Sequence, residues 1–349
     1  MILNQLYLFL SNRVMTFILS VSLLFLVVST SVDVYEDGRV TSTLADLQSK
    51  GHRITLEQFR EPRCDMDKNA APFYKAAMEL TTTTRLSFGQ PVAEVANEHP
   101  EIVSQLHGAL DLLTQASERP SCWMNLHVDQ GFRMPSPNFM QFRNLIIVGA
   151  VDAVLKQREG HTDLAVARCI ELCRATRRVD LGCGVIGFAF RNSSTQRLLS
   201  ALETLPAGSV GANPLLKDEL TLLRDELSKG LLSSIDGEVA MSAQLFRDIR
   251  SRKASEVQSI DVMPSADSEN AMLGGLAFRI GGAWLSCVDE LSYLQAMTTQ
   301  YDQAAHGEQP NVKIEHTFPY VMTAVLTPNT GRLWKQQQES LSRIDTLLR

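Results

Sequence analysis

Cys122, Trp123, His127 and Asp129 crowd into one connector, Pro120 to Pro137. A thiol near an imidazole and a carboxylate is a set from which a nucleophile and its base can be assembled. No nucleophile motif accompanies them, since G-x-S-x-G and H-E-x-x-H are both absent. The connector therefore marks a candidate site for an enzyme, with no catalytic residue assigned.

Three further patterns have the spacing of chemistry without its context. Gly182-Cys183-Gly184-Val185-Ile186-Gly187 matches the dinucleotide fingerprint, with Glu203 sixteen residues beyond Gly187. Those glycines bind a pyrophosphate only between a strand and a helix. What precedes Gly182 is an Arg-rich amphipathic helix, so the run is expected to be a helix–helix turn with close backbone packing and no nucleotide cofactor. Asp65-Met66-Asp67-Lys68-Asn69 opens like a calcium loop, but positions six and twelve are Ala70 and Ala76. Cys169 and Cys173 share a helix face near His161, yet no second ligand pair follows, so buried thiols are expected and no metal. The sequon Asn192-Ser193-Ser194 falls inside an expected helix. No catalytic, cofactor-binding or metal-ligating residue is therefore assigned.

What must position any site begins with residues 1–32. Val14 to Val28 carries no charge, Pro or Gly; Arg13 precedes it, and Asp33, Glu36 and Asp37 follow. A basic flank, an apolar core and the small residues Ser29 and Ser31 are the parts of a secretory signal. An uncleaved anchor needs roughly 20 apolar residues, which residues 14–32 just supply. Met15 is an alternative start. Arg13 keeps the N-terminus cytoplasmic, so the body is expected outside, tethered to the membrane or released by cleavage near Ser31.

The body carries a net charge of −7, because the chain's −6 includes Arg13 and no acid in residues 1–32. It has no basic stripe interleaved with aromatics, which disfavours nucleic acid. Six cysteines permit disulfides in an exported protein but do not make a disulfide scaffold.

Apolar spacing predicts helices throughout. Ser42 is expected to cap a helix that Gly51 stops, and Thr55 to cap a short one that Pro62 ends. Ile102, Leu106, Ala109, Leu110 and Leu113 keep one buried face. Phe139 to Arg158 and Asp163 to Arg178 form an antiparallel hairpin around Glu159-Gly160-His161, with Arg168, Glu171, Arg174 and Arg178 outward. Asn213 caps a helix with Pro214 at its first position, and Asp236 starts another. Ala271 to Tyr301 and Leu333 to Leu348 are helical, and Tyr320 to Leu326 is a possible strand. Gly274, Gly275, Gly281 and Gly282 favour tight packing, since Arg279 among them argues against a second membrane segment. The expected fold is all-α: packed antiparallel helix hairpins, helical-repeat-like, after an N-terminal hydrophobic segment. Residues 33–252 are expected to form the helical body, and 253–349 a C-terminal helical part, either set off by the polar stretch 253–270 or part of the same domain.

Leu47-x-x-Lys50-Gly51-x-Arg53-Ile54-Thr55-Leu56-Glu57, Asn69-Ala70-Ala71-Pro72-x-Tyr74-x-x-Ala77 and Pro120-x-Cys122-Trp123 resemble a widespread family of uncharacterised bacterial proteins. The Leu145 to Arg178 hairpin, Asp289-Glu290-x-x-Tyr293-Leu294-x-x-Met297 and Tyr320 to Pro328 are similar too. The resemblance implies an exported or N-terminally anchored all-helical protein and no activity. The expected function is a membrane-tethered extracytoplasmic scaffold for a protein or peptide partner. The alternatives are an exported enzyme near Cys122, His127 and Asp129, and a structural protein of the cell envelope.

Overall fold

Residues 139–158 contain a thirteen-residue run, Phe142 to Val154, that is buried on every side of its helix. In the computed structural model, which describes residues 20–21, 24, 27–28, 31, 34–84, 90–135, 138–250, 268–312, 327–328 and 330–349, with the side chains of 249–250 and 268–286 outside that set, this helix is the axis of the larger of two units. The helices are α1 (34–49), α2 (Ala71–Leu80), α3 (Val92–Glu98), α4 (Glu101–Gln105), α5 (His107–Ser117) and α6 (Phe139–Arg158). They continue as α7 (Thr162–Arg178), α8 (Val185–Leu202), α9 (Ser209–Ala212), α10 (Pro214–Arg250), α11 (Ser268–Ala305) and α12 (Thr330–Leu348). The fold is all-α. Among the described residues, β pairing is confined to one isolated bridge, Asn69 with Ser121.

The larger unit draws on Arg53–Ser242, Met297–Val312 and Pro328–Arg349. In it α2, α3, α4, α5, α7 and α8 all pack on α6, and α12 packs on α8. The α6–α7 hairpin closes as expected. Gly160 takes a positive φ of 85°, the left-handed conformation that ends a helix. Gly149 lets the two helices approach, since a Cβ there would lie 2.7 Å from Leu172 Cδ2. Asn213 caps α10, its Oδ1 accepting the Leu216 N–H at 3.0 Å, and Leu216, Leu220, Leu223 and Leu227 are buried.

Three expectations are corrected. Ser42 lies inside α1 rather than at its start. The helices expected from Asn213 and from Asp236 are one, because α10 runs unbroken through Gly230 and Gly237, which serve close packing instead of a turn. Arg168 is buried rather than outward. Its Nε donates to Asp152 Oδ2 at 2.6 Å, and Nη1 reaches the Leu110 carbonyl at 3.2 Å. Arg174 and Arg178 likewise turn back to the Ser117 carbonyl, one of the acceptors that a helix end leaves unsatisfied.

The smaller unit gathers described residues of Met1–His52, Ala243–Ala296 and Lys313–Thr327. Val40, Cys287 and Leu291 form its buried cluster, with Leu44 against them. The rings of Phe246 and Tyr293 lie 6.1 Å apart. Among the described residues no helix is long and apolar enough to cross a membrane. Most of the expected segment at 14–32 lies outside the described residues, as does Tyr320 to Leu326, and the packing of the four glycines at 274–282 falls on undescribed side chains.

Candidate functional site

The turn from α7 into α8 is built by glycine and by one aspartate. Asp180 follows the end of α7, and its Oδ1 accepts the Gly182 N–H at 2.8 Å, closing a local turn. Gly182 has a φ of 89°, open to glycine without strain. Gly187 has no room for a side chain, because a Cβ would fall 2.5 Å from the Leu181 carbonyl oxygen. The Val185 N–H, in the first turn of α8, donates to Glu238 Oε2 at 3.1 Å. The helix N-terminus therefore already holds a carboxylate. Burial raises Glu238 to about 7, more than the Val185 hydrogen bond lowers it. The fingerprint-like glycines thus make a packed helix–helix turn, with no strand before it.

A polar cleft of 390 Å³ opens at this turn. One wall is the short 3₁₀ turn Leu56–Phe59, fixed by Gln58 Oε1, which accepts the N–H groups of Ile54 at 2.9 Å and Thr55 at 3.0 Å. Arg53 and Glu61 flank that turn. The Arg53 guanidinium lies 4.1 Å from the Phe59 ring centroid and donates to Ser233 of α10. Arg178 donates to the carbonyls of Ser117 and Arg119, and Arg191 to the Val179 carbonyl at 3.2 Å. The other two arginines of the lining have carboxylate partners: Arg177 pairs with Glu219 at 2.8 Å, and Arg60 with Glu57 at 3.1 Å. Arg53, Arg178 and Arg191 form no ion pair among the described residues.

Two carboxylates share the lining. Glu61 accepts the Met124 N–H at 3.3 Å. Burial, then the nearby Asp180 charge, pushes Glu61 up to about 7 against the Met124 hydrogen bond and Arg191. Burial also raises Asp180, against hydrogen bonds from Gly182 and Leu181 and the charge of Arg191. Neither acid forms an ion pair among the described residues.

Of the residues that spacing picked out, Cys122 sits close enough to feel this cleft. Burial, then the charges of Glu61, Asp180 and Cys64, pushes its thiol up to about 12, so it is protonated at neutral pH. Its strand-like neighbours are tied down: Asn69 Oδ1 accepts the Trp123 N–H at 2.8 Å. His127 and Asp129 are exposed at the start of the 3₁₀ turn Val128–Arg133, and no hydrogen bond joins them. Cys169 and Cys173 are fully buried, and burial raises both thiols. All six cysteines are free thiols. Among the described residues no group of three or more His, Cys, Asp or Glu could hold a metal ion. A second hollow, of 570 Å³, lies between α2 and the α4–α5 pair; its charged groups are His99 and Glu101, 3.4 Å apart, with no converging cations.

Arg53, Glu61, Arg178, Asp180 and Arg191 were not singled out by sequence as a site. The run Arg177-Arg178-Val179-Asp180 against a glycine-rich turn was the local signal available. Comparison of the chain with protein-family models, curated proteins and solved structures finds no match. The cleft's own geometry must carry the functional reading.

Proposed function

We propose that the chain is a membrane-tethered, extracytoplasmic helical scaffold that holds a protein or peptide partner by an anionic group docked in the α7–α8 cleft. The observation that carries this is three guanidiniums without ion pairs, Arg53, Arg178 and Arg191, converging on one cavity of a body with net charge −7. A guanidinium with no ion-paired carboxylate keeps donors for a ligand, and charged groups gathered in a cleft concentrate at functional sites. Guanidinium forks match carboxylate and phosphate oxygens. Helix hairpins stacked in a repeat-like way would extend the surface around that anchor. Exposure of Val21, Leu24, Val27 and Val28 supports a tether through residues 14–32.

The enzyme alternative finds less support at Cys122, His127 and Asp129, where the thiol is protonated and the other two groups are not linked. A purely structural envelope role leaves the unpaired charges of the cleft without a use. The test is thermal shift and calorimetric titration of the full chain in detergent, at low salt, with citrate, acetate and phosphate. Stabilisation that Arg191→Gln and Arg178→Gln abolish is expected. Identical melting curves with every anion would sink the reading. Protease accessibility in intact cells, with the body cleaved from outside, checks the placement.

A further inference from the structure

We infer that the group taken by this cleft is dipolar, a carboxylate accompanied by an ammonium, as in a free amino acid or the unblocked ends of a short peptide. The inference rests on the anion-binding reading above and deepens it. The cleft offers both signs of charge: Arg53, Arg178 and Arg191 on one hand, Glu61 and Asp180 on the other. These groups share one cavity, yet they satisfy themselves on backbone groups and a serine hydroxyl instead of on each other. Had the charges a structural role, they would pair, as Arg174 and Arg177 pair with Glu219 nearby at 2.7 Å and 2.8 Å. Held apart around 390 Å³, they leave both signs available to a small ligand. A simple anion would satisfy the arginines and sit against two carboxylates, a like-charge contact that weakens its binding without abolishing it. An ammonium on the same ligand removes that penalty.

The two kinds of ligand drive protons in opposite directions. Glu61 titrates near 7, so at pH 7 a ligand ammonium beside it displaces about half a proton. An anion without an ammonium makes Glu61 take a proton up. The full chain in detergent is dialysed to equilibrium against pooled amino acids and dipeptides with free ends. Parallel pools carry acetylated amines or amidated carboxyls, and mass spectrometry identifies what is retained. Calorimetry of a retained compound in two buffers of different ionisation enthalpy counts the protons. Retention from the free-ended pool, weakened about tenfold or more by either cap, with proton release, is expected. Retained amino acids distinguish a single-residue ligand from a peptide.

Glu61→Gln is close to isosteric and should abolish the proton release while bringing the acetylated compounds up to the affinity of the free ones. Equal retention of acetylated ligands by the unaltered chain, or proton uptake, overturns the dipolar inference and leaves the anion site standing. Failure to bind citrate, acetate or phosphate as well as every pool overturns both. Proton release that persists in Glu61→Gln overturns the pairing of the ammonium with Glu61 and the dipolar inference with it.

Discussion

Gly237→Ala should loosen the larger unit and its cleft together. Gly237 lies in α10 where that helix meets the turn before α8. A Cβ at this position would stand 2.0 Å from the Cys183 carbonyl oxygen and 2.6 Å from its carbonyl carbon. Real Cβ atoms essentially never come within 3.0 Å of a neighbour, so two backbones must part by about 1 Å. Overpacking of this kind costs about 1–3 kcal/mol. Replacing a mid-helix glycine with alanine returns about 1 kcal/mol. Because the obstacle is main chain and has no rotamer to change, the upper end of the penalty applies, and the net loss is about 2 kcal/mol. Urea denaturation followed by far-UV circular dichroism measures it. Gly211→Ala is the control, since a Cβ there meets nothing within 4 Å, and it should be neutral or slightly stabilising. The shifted turn carries Gly182 and Gly184, both on the cleft, so the anion response should weaken in Gly237→Ala and not in the control. A Gly237→Ala protein as stable as the parent would refute the close crossing of α10 on the α8 turn.

The other expectations are quickly put. Glu238 titrates near 7 when folded against an ordinary 4.5, so the folded state binds its proton more tightly and this residue's contribution falls as pH rises between those values. Glu238→Gln should therefore match the parent below pH 4.5 and exceed it at pH 8 by on the order of 3 kcal/mol, and parallel stability profiles would rule this out. Arg168→Ala takes from the buried Asp152 carboxylate one of its two cationic partners, Lys156 remaining at 2.8 Å, and should cost about 1.5–3 kcal/mol in urea melts, whereas Arg60→Ala, which breaks an exposed pair, should cost less than about 1 kcal/mol. Iodoacetamide at pH 8 should leave Cys169 and Cys173 unmodified until the chain is unfolded, as peptide mass mapping would show; native labelling of either would contradict their burial.

Where the sequence carried a complete local signal, the fold was legible in it. The α6–α7 hairpin announced itself by apolar period and Gly160, and the start of α10 by Asn213 and Pro214. The stretch reads as two helices, from Asn213 and from Asp236, and its Gly230 and Gly237 could not show the single α10, because a glycine that breaks a helix and a glycine that admits a neighbour look alike until the neighbour is placed. Here the neighbours are the Phe188 ring, 2.6 Å from a Cβ at Gly230, and the Cys183 carbonyl. Arg168 misled for the converse reason: periodicity gives the direction of a side chain but not whether another helix lies there. The cleft was illegible because its groups come from three separated stretches, 53–61, 177–191 and 230–234, that only the folded chain brings together. The glycine-rich turn was visible from the start. It was weighed as a phosphate loop, and setting that aside left its arginines unexamined.

The docking of α12 bears on how the protein is made. Ser340 donates to Asn192 Oδ1 at 3.1 Å, Gln337 to the Leu227 carbonyl at 2.6 Å, and Arg343 pairs with Glu203 at 2.7 Å. Three partners lying 110 to 148 residues upstream wait on this one helix. During synthesis the larger unit therefore cannot finish folding while residues 330–348 remain in the ribosomal tunnel. Until they emerge, the faces of α8 and α10 that α12 covers stay open to solvent and to any other helix that can offer the same donors.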